Sequence, residues 1–365
     1  MPRAAVLYDF GSPLVVEDIE VDPPRHGEVR VKIVASGVCH SDLHMLQGIH
    51  PVPLPAIIGH EGAGVVEEIG EGVDGLNPGD HVILSWLPYC GKCRFCVTGR
   101  PALCDNLAWS NSGTMADGTT RFHRAGKRLL HNTASSFAEV TVVPAQTVIR
   151  VDPSFDLIEL ALLGCAVMTG TGAVLNTAAV RAGESVAVVG CGGVGLSIVQ
   201  GARISGARPI IAIDPVASKR ELAQRLGATH SIDPRNGDVR RAIDEIVGAG
   251  VDYAFEALGK PETIGTCISL LGKGGKAVLV GMAPPDAGVS IDALTLTVEE
   301  RAIVGCWYGS CRPAADFPRL LGFVAAGTLD LGSMVSATCK LDDINEAFAA
   351  MERGDVARTV VDYGQ

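Results

Sequence analysis

Four cysteines, Cys90, Cys93, Cys96 and Cys104, share one short stretch in the spacing C-x2-C-x2-C-x7-C. Thiolates grouped in this way can close a tetrahedral zinc site, because zinc has no ligand-field preference. A closed site leaves no position for substrate, so its expected role is to hold a loop that lacks a core of its own. The bacterial iron–sulfur spacing ends in x3-Cys-Pro, whereas here the last gap is seven residues and Asp105 follows. A second donor set is dispersed: Cys39 in Gly37-Val38-Cys39-His40-Ser41-Asp42, His60 in Gly59-His60-Glu61-Gly62, and Cys165 in Leu163-Gly164-Cys165-Ala166. Singly, each cysteine reads as a small buried hydrophobe. Together, two thiolates and one imidazole make the three-ligand set of a catalytic zinc with an open fourth position. Asp42 and Glu61 beside two of them read as carboxylates that orient ligands or modulate the metal. Spacing alone does not establish that the three converge.

A third motif, Gly190-Cys191-Gly192-Gly193-Val194-Gly195, follows an apolar β-branched run and precedes a helical pattern. Glycines there let a pyrophosphate approach a helix N-terminus. Asp214 ends the next strand, where a carboxylate can accept hydrogen bonds from ribose hydroxyls and repel the extra phosphate of NADP, which favours NAD.

These groups must be positioned by two kinds of element. Up to about residue 150 the pattern is short strands broken by Gly/Pro turns, as in Val29–Val34, Gly64–Ile69 and Val82–Leu84. From about 155 apolar strands alternate with helices: Ser185–Val189, Val194–Ile204, Ile210–Ile213, Ser218–Leu226, Asp252–Glu256, Ala277–Val280. Such alternation builds βαβ units on a parallel sheet. A helix at Ile344–Arg353 and a strand at Thr359–Val361 close the chain. The expected architecture is α/β: a β-rich domain over 1–166 and 307–365, and a doubly wound parallel-sheet domain over 167–306.

The bulk properties agree. A length of 365 residues suits two domains, and 47% hydrophobic with 19% charged residues reads as globular. The net charge of −11 argues against nucleic acid and anionic membrane as partners. The N-terminus reads directly into a strand with no secretory signal pattern. Eleven cysteines in such a chain argue for metal ligation in a reducing cytoplasm over a disulfide framework.

With these motifs assembled in order, the chain resembles the zinc-containing medium-chain alcohol dehydrogenases along its whole length. The terminal Arg358-Thr359-Val360-Val361 is part of the match. The resemblance implies a GroES-like catalytic domain beside a Rossmann domain, NAD as cofactor and two zinc ions per chain. Cys39, His60 and Cys165 would hold the catalytic ion; Cys90, Cys93, Cys96 and Cys104 the structural one. It implies that Glu61 stands behind the catalytic zinc and that Asp42 bonds the ligand histidine. Ser41 would touch the alcohol, and His44 would finish a proton relay through the nicotinamide ribose. Gly190, Gly192, Gly193, Val194 and Gly195 would meet the dinucleotide, Asp214 and Lys219 its adenosine ribose, and Arg358 its pyrophosphate. His40 falls where liver-type enzymes commonly carry arginine for the pyrophosphate. A partly charged histidine there implies looser NAD binding and faster NADH release; an unchanged NADH off-rate in His40→Arg would refute this.

The resemblance also places His50, Trp86, Leu103 and Trp109 along the alcohol channel, which suits a planar aromatic or allylic primary alcohol. The long stretch between Cys104 and Phe137, with Gly118-Thr119-Thr120-Arg121-Phe122, is similar to the class I and class III branch and implies a homodimer. Cys306-Trp307-Tyr308-Gly309-Ser310-Cys311 resembles bacterial thiol-adduct formaldehyde dehydrogenases, so a mycothiol- or glutathione-dependent activity is the alternative. The basic run Arg121, Arg124, Lys127, Arg128 reads as a solvated face, or else as a rim for a carboxylate-bearing thiol adduct. A non-catalytic zinc- and nucleotide-binding sensor is the remaining reading, and Ser41 and His44 beside intact ligands speak against it. Cys191, Cys267, Cys306, Cys311 and Cys339 receive no role.

Overall fold

A computed structural model describes residues 1–105, 110–354 and 357–364. The chain forms two compact units, one of Met1–Cys165, Arg312–Phe317 and Val335–Gln365, the other of Ala166–Cys311 and Pro318–Met334.

The first unit is built on the long strand Glu28–Val38, whose Val29, Val31 and Ile33 are buried on one face. Antiparallel pairing joins it to Glu61–Ile69, Val140–Pro144 and Thr359–Asp362, so the last strand of the chain returns beside one of the first. The register sets Gly37 opposite Glu61, which brings the residues after each strand end together. A second sheet runs from Val15–Asp18 through Arg3–Leu7, Ala56–Ile57, Lys127–His131 and Phe122–Arg124 to Glu20–Val21. Alternating apolar residues of Arg3–Leu7 serve two cores, Ala4 and Val6 with Phe122 in one, Ala5 and Leu7 with Phe137 and Phe348 in the other.

In the second unit six parallel strands lie in the order His230–Ile232, Ile210–Ile213, Val186–Val189, Val251–Glu256, Leu271–Leu279, Ala302–Gly305. That is the strand order of the dinucleotide-binding fold, with the reversal point beside Val186–Val189. The three central strands are almost wholly buried, as a sheet covered on both faces requires. The segment Pro318–Met334 groups with this unit, although the sequence assigned it to the other domain. The Gln200 amide ties it there: its Nε2 donates to Asp330 O (3.0 Å), and its Oε1 accepts from Asp330 N (2.8 Å).

The basic run is not one solvated face. Arg124, Lys127 and Arg128 are exposed, but Arg121 is fully buried. Its Nε donates to Glu28 Oε2 at 2.7 Å and its Nη2 to Asp117 Oδ2 at 2.9 Å. A guanidinium out of water must be paired, and these two carboxylates do it. Among the described residues no single helix is long and apolar enough to cross a membrane.

Candidate active site

Strand Glu28–Val38 runs out into Cys39, the N-cap of helix His40–Leu46. Asp42, fully buried in the first turn of that helix, organises the site. Its Oδ2 accepts from Cys39 N (3.3 Å), and its Oδ1 accepts from Gly59 N (3.2 Å) and lies 2.8 Å from His60 Nδ1. With Nδ1 committed to the carboxylate, His60 Nε2 is left buried with no hydrogen-bond partner. It faces Cys39, Glu61 and Cys165, and one ligand atom from each of the four residues lies within 4.8 Å of all the others. Cys165 can come this close because Gly164 has no Cβ: one there would sit 2.8 Å from Leu84 O and 3.3 Å from Glu61 Cα.

The electrostatics suit a bound cation. Hydrogen bonding to Cys165, against the cost of burial and helped by His60, holds the Cys39 thiol well below its ordinary pKa. Burial opposes a charged His60 ring, but the charge and hydrogen bond of Asp42 outweigh it and carry the ring to about 10. Burial raises Asp42 against the pull of His60. The remaining carboxylate, Glu61, is paired with the Arg358 guanidinium, and both are buried. Two thiols, an imidazole aimed by a carboxylate and a nearby glutamate form a donor set that fits zinc.

The second cluster also converges. One sulfur from each of Cys90, Cys93, Cys96 and Cys104 lies within 4.8 Å of the rest. Cys93 Sγ and Cys104 Sγ are 3.8 Å apart, and tetrahedral zinc with Zn–S of about 2.3 Å needs S···S of about 3.8 Å. Cys104 Sγ accepts from Cys90 N and Cys90 Sγ from Cys93 N, each at 3.3 Å, as thiolates do. The short helix Arg94–Val97 inside the lobe buries none of its residues, so apolar packing does not hold it.

In the second unit, helix Gly193–Ser205 begins just after the strand Val186–Val189, with Gly192 as N-cap. A Cβ on Gly195 would lie 1.8 Å from Gly190 O, so only glycine allows this helix to start so close to the strand. A Cβ on Gly192 would meet nothing within 4 Å, which leaves the helix N-terminus open to a phosphate. Asp214 accepts from Cys191 N and Val216 N, each at 2.8 Å, which fixes its carboxylate beside the glycine turn. Val194 and Lys219 are half-buried, on this helix and on Ala217–Leu226 respectively.

Other expected site residues are placed as follows. Ser41 Oγ is 3.8 Å from Cys39 Sγ. Burial first, then His40 and His50, lower the pKa of half-buried His44, whose ring centroid is 5.5 Å from that of His50. His40 is exposed at the first turn. Trp86 stands edge-on to His60, with centroids 6.4 Å apart and planes at 81°. Leu103 is 38% exposed on the short helix Pro101–Leu103, and Trp109 lies outside the described residues. His131 and Thr133, which line one small cavity with Trp86, were not singled out in the sequence; the local signal there is the density of polar residues over 131–136.

Comparison with known proteins agrees with this geometry. Residues 25–153 match the Alcohol dehydrogenase GroES-like domain and residues 193–326 the Zinc-binding dehydrogenase family. The chain is 42% identical to S-(hydroxymethyl)glutathione dehydrogenase of Synechocystis sp., over 99% of each chain. It is 38% identical to NDMA-dependent alcohol dehydrogenase of Amycolatopsis methanolica, over 98% of each. The crystal structure of benzyl alcohol dehydrogenase from Acinetobacter calcoaceticus superposes with a TM-score of 0.95 at 35% identity, covering 100% of this chain and 99% of that one. The chain therefore belongs to the zinc-containing medium-chain alcohol dehydrogenases, zinc- and nicotinamide-dependent enzymes that interconvert alcohols and aldehydes.

Proposed function

We propose that the chain oxidises primary aromatic or allylic alcohols to aldehydes with NAD, using a catalytic zinc on Cys39, His60 and Cys165. A structural zinc would sit on Cys90, Cys93, Cys96 and Cys104. The observation that carries the substrate reading is Trp86, an indole edge-on to the His60 ring at 6.4 Å, which puts an aromatic wall beside the metal donors. Cys39, His60 and Cys165 would hold a zinc ion that would supply Lewis acidity toward an alcohol hydroxyl, and a bound nicotinamide would supply the hydride acceptor. Ser41, 3.8 Å from Cys39 Sγ, would take the hydroxyl proton. His44, whose pKa is lowered by burial and then by its histidine neighbours, would receive it. Asp214, held by two backbone N–H groups, favours NAD over NADP.

Assay of benzyl, cinnamyl and aliphatic alcohols with NAD and NADP tests this reading. A higher kcat/KM for ethanol than for benzyl alcohol would sink it. A second reading, a thiol-adduct formaldehyde dehydrogenase, is favoured by one observation: a broad groove of about 520 Å³ lined by Leu54, Pro55, Ser112, Thr114 and the cation Arg128. Formaldehyde oxidation that requires added glutathione or mycothiol would establish it.

The assembly we propose is a homodimer. Strand Ala302–Gly305 is an edge of the six-stranded sheet, and nearby Ile291, Leu294 and Val298 are exposed by 45%, 71% and 67%. An unpaired edge beside apolar side chains is suited to pairing with a second copy of itself. All eleven cysteines are free, which fits a reducing cytoplasm.

A further inference from the structure

A small, partly open cavity in the first unit is lined by Trp86, Thr114, Met115, His131 and Thr133, among others. About 10 Å³ of it is open to the centre of a water molecule, which is the room one water needs. Among the buried polar atoms of its lining residues, His131 Nδ1 and Thr133 Oγ1 have no hydrogen-bond partner.

The proton on His131 is fixed by its other nitrogen. Arg121 N donates to His131 Nε2 at 3.1 Å, so Nε2 carries no hydrogen and Nδ1 must be the N–H of the neutral ring. Burial, and then the charge of Arg121, keep the ring neutral down to about 3. His131 therefore presents a permanent donor. Thr133 has φ of +55°, a left-handed backbone that a β-branched residue adopts only under strain. Glycine would make the same turn without strain, so the turn itself does not call for threonine. A threonine held there keeps a hydroxyl that a glycine would lack.

We propose that His131 and Thr133 hold one buried water molecule behind Trp86, and that Thr133 is thereby a positioning residue for the aromatic wall of the alcohol site. The water accepts from His131 Nδ1–H and bonds Thr133 Oγ1. It fills the space into which the indole would otherwise relax. Trp86 is held at its 81° angle to His60, and a planar substrate meets a fixed surface. The role of Trp86 rests on the aromatic-alcohol reading above; the water site does not.

Two measurements on the holoenzyme test it. A high-resolution crystal structure should show an ordered water between His131 Nδ1 and Thr133 Oγ1; a dry cavity would overturn the inference and leave the reaction class intact. Thr133→Val should lower the ratio of kcat/KM for benzyl alcohol to that for ethanol about tenfold. Thr133→Ser, which keeps the hydroxyl, should hold the wild-type ratio. Thr133→Gly relieves the strain, so it should fold at least as stably as wild type and still show the lowered ratio. An unchanged ratio in Thr133→Gly, or a serine variant as impaired as valine, would overturn the positioning role. A wild type that does not favour benzyl alcohol would count against the substrate reading, while the crystallographic water would still be decided on its own.

Discussion

Asp42→Asn separates the two zinc sites, and the structure gives both its direction and its size. Asp42 Oδ1 accepts from Gly59 N and bonds His60 Nδ1, at 3.2 and 2.8 Å, while Oδ2 accepts from Cys39 N at 3.3 Å. An asparagine can keep its oxygen on the first pair, so the imidazole stays oriented. Its NH2 group then opposes the Cys39 N–H, and one buried hydrogen bond becomes a donor–donor contact. The negative charge behind His60 is also lost, which makes the imidazole a weaker donor. Losing such a partner lowers metal affinity about 10- to 100-fold, or about 1.4–2.7 kcal/mol. The four-cysteine lobe contains no bond to Asp42 and should be unaffected. Metal content after graded chelator treatment should fall from two zinc ions per chain to one at a chelator level that leaves wild type at two. Activity should follow the first ion and thermal stability the second. Equal loss of both ions, or no change in either, would refute the assignment of Asp42 as the anchor of His60.

Three further outcomes are expected. Cys93→Ala should bind one zinc per chain and lower the melting temperature, with the Cys90–Cys104 lobe opened to protease, because the lobe helix buries no side chain of its own; the remaining ion and residual alcohol oxidation in folded protein report the catalytic site. His131, neutral in the fold to about 3 against an ordinary 6.5, binds fewer protons folded than unfolded between those values. Stability should thus fall as pH is lowered across that window, by at most about 1.4 kcal/mol per unit from this group, and His131→Gln should show a shallower decline of melting temperature on acidification. Leu294→Glu with Val298→Glu, at two exposed positions, should give a folded monomer by sedimentation if the edge of the parallel sheet is the dimer contact.

Much of this was legible because the chemistry is written in rare residues. Four cysteines at short spacing need no fold to be recognised, and the glycine turn carries its own geometry in Gly190 and Gly195. The dispersed set was legible only as residue types. What brings Cys39 to His60 is the register of Gly37 opposite Glu61, and what admits Cys165 is the missing Cβ of Gly164. Neither leaves a local pattern. Arg121 read as one of four basic surface residues because its chief partner, Glu28, is 93 positions away. Thr133 was invisible for another reason: backbone strain has no composition, and a threonine at positive φ looks in sequence like any loop threonine.

Charge balance explains why Arg358 lies where it does. The buried groups around His60 are Cys39, Cys165, Glu61 and Asp42, and with both thiols ionised as a metal requires they carry four negative charges. Arg358, paired to Glu61, reduces the sum to −3, and a zinc dication brings it to −1. So small a residue of charge can be borne in a buried site whose members are also hydrogen-bonded, whereas −3 could not. The pairing also occupies Glu61. A free carboxylate within 4.8 Å of the ligand atoms would compete with an alcohol for the open position on zinc. Paired with Arg358, it would be the least available of the four donors, so the guanidinium that balances the charge would also leave a fourth position on a bound zinc to substrate.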